Sequence, residues 1–116
     1  MTAIQIAGFG LPTSIPFVAA GVTYDCLAGG SYAYITLTGT LAAFAFANPA
    51  PGSIVTLRVI QDATGSRTVT AWTNVVWAAA TAPTLTTTAS AYDVLRFTYD
   101  SVLGKWIGET VAKALG

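Results

Sequence analysis

From Val22 to the C-terminus, short runs rich in Val, Ile, Thr, Tyr and Phe alternate with clusters of Gly, Pro, Asn and Asp. Such runs favour β-strands, and the clusters between them favour turns. No stretch has the apolar spacing of an amphipathic helix, although residues 111–115 could form one loose helical turn. The pattern predicts strands at residues 22–27, 32–38, 41–47, 54–61, 68–72, 74–77, 92–99 and 105–111.

The segments between these runs have turn chemistry. Residues 48–52 form a Pro-rich stop, and residues 62–66 and 100–104 are Gly-containing segments that suit hairpin loops. Because hairpins join antiparallel neighbours, we expect an all-β chain folded as an antiparallel β-sandwich, jelly-roll-like in topology. Residues 54–61 carry apolar side chains on both faces, which predicts a central strand that is covered on both sides.

The first 21 residues are apolar but are interrupted by Gly8, Gly10, Pro12 and Pro16. No Lys or Arg precedes the apolar run, and no stretch approaches the roughly 20 residues of a membrane span, so we predict neither a signal peptide nor a membrane segment. We expect an extended N-terminal arm over residues 1–21, followed by one β-sandwich domain over residues 22–116.

The surface of this chain must be poor in charge. Charged residues make up 9% of the sequence and hydrophobic residues 53%, with a formal net charge of zero. Such a surface gives a monomer little electrostatic protection against association, so we expect a homo-oligomer, a trimer or a dimer. The candidate contact residues for a subunit or partner are Ile4, Ile6, Phe9, Phe17, Tyr32, Tyr34 and Trp72; core filling is the alternative for the aromatic ones.

The residue types needed for most enzyme chemistry are missing. The chain has no His, and its only Glu is Glu109, which removes the commonest general base and the usual pair of catalytic carboxylates. The four Asp residues lack the spacing of a calcium loop, and the lone Cys26 can form neither an internal disulfide nor a usual zinc site. We therefore expect no catalytic, cofactor or metal site, and we interpret Asp62 and Arg67 as structural residues of their loop.

The five Lys and Arg residues are spread thinly along the chain and form no basic stripe that would neutralise phosphates. We therefore expect neither nucleic acid nor a membrane among the partners.

Seven motifs occur in a fixed order: ITLTG at 35–39, FANP at 46–49, QDATGSRTVT at 61–70, NVVW at 74–77, APTLTTTA at 82–89, DVLRFTYD at 93–100 and KWIG at 105–108. Together they resemble a β-module found in virion proteins of tailed bacteriophages, where it is familiar as a terminal domain of tail-fibre-like proteins. The resemblance implies an antiparallel sandwich used for assembly or attachment, with the major capsid protein or other virion proteins as partners.

A module preceded by a short arm, with no shaft or repeat ahead of it, suits a capsid decoration (cement) protein on the capsid exterior that stabilises the head lattice. The alternative is a tail-fibre or baseplate tip subunit that contacts the host surface, with a host glycan as its partner. A third hypothesis, a carbohydrate-binding accessory of a cell-wall enzyme, depends on Trp72, Trp77 and Trp106.

Overall fold

The computed structural model describes residues 11–116, whose regular secondary structure is almost entirely β-strand. The strands are β1 (Thr13–Ile15), β2 (Val22–Asp25), β3 (Tyr32–Leu37), β4 (Phe44–Ala47), β5 (Ile54–Gln61), β6 (Val75–Val76), β7 (Tyr92–Asp100) and β8 (Lys105–Leu115). One short 3-10 turn covers Ala78–Ala80. The prediction of an all-β chain is confirmed.

The strands form two sheets, and the chain alternates between them from β1 to β5. The large sheet has the order β1-β3-β5-β7-β8-β6, and the small sheet pairs β2 with β4. Strands β1, β3 and β5 run parallel to one another, as do β2 and β4. Parallel neighbours need a long crossover between them. In this fold the crossovers from β1 to β5 each contribute a strand to the opposite sheet, whereas the one from β6 to β8 passes through β7 of the same sheet.

The predicted antiparallel, jelly-roll-like pairing is wrong for most of the described strands. Four of the six strand pairs within residues 11–116 are parallel, and only β5–β7 and β7–β8 are antiparallel. The physical reason is that the turn clusters mostly lead to the other sheet and not to a neighbouring strand. Residues 48–52 connect β4 in the small sheet to β5 in the large one, whereas residues 101–104 do join a hairpin, β7–β8.

The loop at residues 62–66 is not the hairpin loop that the sequence predicts. It leads from β5 to a segment beside β4, where Leu41 bridges Val69 and Phe44 bridges Trp72 in parallel. A continuous strand is predicted at residues 68–72, but this segment forms only the two isolated bridges. The buried Gln61 closes the loop, because its side-chain amide donates a hydrogen bond to the Arg67 carbonyl (2.8 Å) and its side-chain oxygen accepts one from the Arg67 N–H (2.9 Å).

Strand β1 lies within the segment predicted to be an arm. It pairs with β3, and its Ile15 is only 8% exposed, so this part of the segment belongs to the large sheet and to the core. The strand has three residues and lies between Pro12 and Pro16, which is too short for a recognisable strand pattern. Residues 1–10 of the predicted arm lie outside the described residues.

The helical turn expected at residues 111–115 is also wrong, because β8 continues to Leu115. Tyr92 of β7 lies opposite Leu115, and the buried Asp93 carboxylate accepts a hydrogen bond from the Ala114 N–H (2.9 Å). These contacts hold the C-terminal residues in the sheet, and none of them is visible in the local sequence.

The core lies between the two sheets. Every second residue of β3, β5 and β7 is buried, and Ala33, Leu57 and Leu95 form one fully buried row across these strands. From the small sheet, the Phe46 ring centroid lies 4.9 Å from that of Phe97 and 4.5 Å from that of Trp106. Apolar burial on this inner side is therefore what joins the sheets.

The core row predicts a large difference between the two faces of β5. Leu57→Ala removes a fully buried side chain from the middle of the large sheet, so we expect it to lower the free energy of unfolding by about 2–5 kcal/mol. The matched control is Ile54→Ala on the opposite face of the same strand, where a loss of about 1 kcal/mol or less is expected. Urea denaturation measures both, and equal losses would contradict this assignment of the faces.

Candidate functional site

One face of the large sheet is exposed, although the sequence predicts that its central strand is covered on both sides. Strand β5 is central, as expected, but only its inner side chains are buried in the core. Its outward side chains Ile54, Thr56, Arg58 and Ile60 all remain at least partly exposed, and Ile54 is 48% exposed. The predicted cover on the second face of β5 is therefore absent from the described part of the chain.

The register of the strands defines this surface, which we call the outer face. Cross-strand neighbours share a side of a pleated sheet. The outer face includes Tyr32, Tyr34 and Thr36 from β3, Ile54, Thr56, Arg58 and Ile60 from β5, Tyr92, Val94, Arg96, Thr98 and Asp100 from β7, and Lys105, Ile107 and Glu109 from β8. It combines tyrosines and aliphatic side chains with five charged residues.

Two of the predicted contact residues, Tyr32 and Tyr34, lie together on the outer face, and Tyr32 is 39% exposed. Phe17 and Trp72 lie elsewhere, and both are half-buried against the core. Ile4, Ile6 and Phe9 lie outside the described residues. The structure therefore brings two of the seven predicted contact residues onto one surface.

Trp72 belongs to an aromatic cluster beneath the small sheet. Its ring centroid lies 5.4 Å from both Phe44 and Phe97 and 5.9 Å from Trp77. Trp106 is buried in the same cluster, against Phe46. The three tryptophans therefore pack in and around the core, which is the alternative that the sequence left open for them.

Arg58 is the central charged residue of the outer face, and sequence analysis did not single it out. Its guanidinium carbon lies 5.2 Å from the ring centroids of both Tyr34 and Tyr92, a cation–π arrangement with a ring on each side. Tyr34 lies directly opposite Arg58 on β3, and Tyr92 reaches it diagonally from β7. The Nε atom of Arg58 is buried and has no hydrogen-bond acceptor among the described residues.

The other charges of the outer face balance one another, because Lys105 lies opposite Asp100 and Arg96 pairs with Glu109. Arg96 donates a hydrogen bond from Nε to a Glu109 carboxylate oxygen at 2.8 Å, and both side chains are about half exposed. An exposed pair of this kind contributes little to stability. The outer face therefore carries one uncompensated positive charge, which is that of Arg58.

Asp62 and Arg67 organise the loop after β5, as the sequence predicts. Asp62 accepts hydrogen bonds from the N–H groups of Thr64 (3.1 Å) and Gly65 (2.9 Å), and it forms a 3.0 Å ion pair with Arg67. The hydrogen bond from Arg67 is the main cause that holds the pKa of Asp62 below its usual value. These contacts are those of a structural turn.

The other aspartates also bind neighbouring backbone. Asp25 accepts from the Leu27 N–H, Asp100 accepts from the Val102 N–H, and Asp93 accepts from the Thr86 N–H at 2.7 Å. Within residues 11–116 no three Cys, Asp or Glu side chains lie close enough to hold a metal ion together. Burial raises the pKa of Cys26 to about 11, so its thiol is protonated at neutral pH.

In the described part of the chain no helix has the length and apolar character needed to cross a membrane. Comparisons of the chain with protein-family models, with curated proteins and with solved structures found no match. Function is therefore inferred from the residues of the outer face and from the sequence motifs.

The Asp62–Arg67 pair predicts a specific dependence of stability on pH. Because the pKa of Asp62 is lower in the folded chain than its ordinary value of 3.8, the pair stabilises the fold above that pH, and the contribution is lost as the pH falls through the folded-state pKa. We expect Asp62→Asn to reduce the loss of stability between about pH 5 and about pH 2. Urea denaturation across this range measures it.

Arg67→Gln is the matched variant, because it keeps the Asp62 carboxyl group and removes its cationic partner. It should flatten the same part of the pH profile. Profiles for both variants that coincide with that of the unsubstituted chain would show that the pair does not shift the titration of Asp62.

Proposed function

We propose that this chain is a non-enzymatic structural protein of a bacteriophage virion, a capsid decoration protein that docks through the outer face of its large sheet. The observation that carries the proposal is that β5, central in the sheet and apolar on both sides, is covered on one side only within the described chain. A protein partner would cover the other side.

The chemistry of the outer face favours a protein partner. A sheet face that remains in water is normally polar. This one presents Ile54, Ile60, Val94 and Ile107 with three tyrosines, and the Lys and Asp that it includes, Lys105 and Asp100, lie opposite each other at the hairpin end of the sheet. Tyrosine and arginine are enriched where protein interfaces are buried, and lysine and acidic residues are depleted there. The composition of the outer face therefore supports docking.

In this proposal the two sheets act as a β-sandwich whose inner side forms the core and whose outer side forms the assembly contact. Copies of the chain, as a trimer or a dimer, and the major capsid protein are the proposed partners on the capsid exterior. Several such contacts per oligomer would give firm retention without one strong site. The ordered motifs that resemble phage virion modules support this assignment.

A tail-fibre or baseplate tip subunit is the second candidate, and one observation favours it. The hairpin between β7 and β8 exposes Val102 (94%) and Leu103 (58%) at its tip, while Asp100 fixes the turn by accepting hydrogen bonds from both of their N–H groups. An apolar tip of this kind suits contact with a host surface. A host glycan would be a partner only under this candidate.

Copy number in purified virions separates the two candidates. A decoration protein that follows the head lattice should be present at roughly a hundred copies per particle, whereas a fibre or baseplate tip should be present at a small multiple of three or six, roughly tens at most. Quantitative mass spectrometry against the major capsid protein measures this ratio. Absence of the chain from washed virions would contradict both candidates.

Substitutions on the outer face should weaken attachment to particles. We expect Tyr32→Thr combined with Ile54→Thr to lower the occupancy of virions by roughly tenfold or more, because both side chains are exposed in the free chain and would be buried on docking. The matched control is Val102→Thr in the β7–β8 loop, which should leave occupancy unchanged. If the control loses occupancy and the double variant keeps it, the hairpin tip is the attachment surface.

A further inference from the structure

We infer that Arg58 is the carboxylate-binding position of the outer face, where it receives an aspartate or glutamate side chain of the protein that covers this face. The inference rests on the proposed assembly function, and it adds the chemistry of the partner. An arginine at the centre of a docking surface needs a hydrogen-bond acceptor once the partner excludes water.

Every other cationic side chain has an acceptor within the chain. Arg67 binds Asp62, Arg96 binds Glu109, Lys105 donates to the Asn74 side-chain oxygen at 3.3 Å, and Lys113 donates to the Thr84 carbonyl. Within residues 11–116, Arg58 alone among the Lys and Arg residues takes part in no ion pair and no hydrogen bond through its side chain.

No acidic side chain of the chain is left over for Arg58. The chain has five acidic side chains, and each of them already accepts hydrogen bonds in the fold. Two of them are on the outer face: Glu109 binds Arg96, and Asp100 accepts from the N–H groups of its own turn. An acidic partner for Arg58 must therefore come from another molecule.

The surroundings of Arg58 orient its guanidinium for such a partner. The Tyr34 and Tyr92 rings lie on either side, so their packing limits rotation of the planar group. Its Nε is buried, and no hydrogen bond joins its guanidinium to an acceptor among the described residues. A guanidinium held in this way offers its terminal N–H groups to a carboxylate, and the planar fork suits two parallel hydrogen bonds to the two oxygens.

The same surroundings favour a carboxylate over a phosphate. Val94 lies opposite Arg58 on β7, and the outward neighbours of Arg58 along β5 are Ile60 and Thr56, so none of these three positions carries a charge. The other arginine of the outer face, Arg96, is already neutralised by Glu109. One positive charge in an apolar setting balances one negative charge, which matches an acidic side chain and leaves a dianion uncompensated.

The direct test is an NMR titration of the isolated chain labelled with 15N at arginine. The probe is N-acetyl-glutamate N-methylamide, which carries one side-chain carboxylate, and the matched neutral control is N-acetyl-glutamine N-methylamide at the same ionic strength. We expect the Nε–Hε signal of Arg58 to shift saturably, at a concentration roughly tenfold below any shift of Arg96, since Arg96 is already paired. The inference is overturned if Arg58 responds no more than Arg96 and Arg67.

Two further probes decide the class of anion. Inorganic phosphate should bind Arg58 no more tightly than the glutamate probe, and so should galacturonate, which carries its carboxylate on a sugar. A roughly tenfold preference for phosphate would overturn the carboxylate assignment. A roughly tenfold preference of Arg58 for galacturonate over the glutamate probe would indicate an acidic glycan as the partner and would also overturn the inference.

Variants connect this site to assembly. Arg58→Lys keeps the charge and loses the planar fork, so we expect it to lower virion occupancy nearly as much as Arg58→Gln, while the control Arg67→Gln, in the loop after β5, leaves occupancy unchanged. Thermal unfolding checks that each variant is folded. The NMR titration uses the unsubstituted chain and does not depend on the folding of any variant. Particles that carry the chain although Arg58 binds no carboxylate would refute only this inference; carboxylate binding by a chain that is absent from particles would refute only the proposed function.

Discussion

Burial of alternate side chains along β5 is the constraint on which the rest of the structure depends. Val55, Leu57 and Val59 are all buried, and Leu57 lies in register with the apolar Ala33 on β3 and Leu95 on β7. Side chains alternate strictly between the two faces of a strand, so this burial also fixes Arg58 and its outward neighbours on the other face. A shift of one residue would place the Arg58 charge in the core, which makes the register costly to change.

The path of the chain explains why only one face of β5 is covered. The crossovers that join β1, β3 and β5 pass through β2 and β4, and residues 68–72 follow beside β4; these segments pack on the inner side through Phe44, Phe46 and Trp72. The last two strands of the large sheet, β8 and β6, extend it sideways and add nothing above the outer face. The fold thus completes its core from one side and leaves Ile54 and Tyr32 exposed in the described chain.

The sequence predicts most strands but not their partners. Period-two patterns locate β3, β5 and β7, because each pattern is local, and residues of turn type mark where these strands end. Pairing is not local: Tyr34, Arg58 and Tyr92 meet only because two strand registers bring them together over the chain. Tyr34 could be proposed as a contact residue from its type alone, whereas Arg58 could not.

The central claim is that the outer face is covered in the assembled particle, and hydroxyl-radical footprinting of the free chain and of purified virions tests it most directly. Oxidation of Tyr32, Tyr34 and Tyr92 should fall several-fold in virions, while that of Leu103 at the β7–β8 tip should stay near its value in the free chain. Equal oxidation of the three tyrosines in both samples, with protection at Leu103, would contradict the claim and place the contact at the hairpin tip.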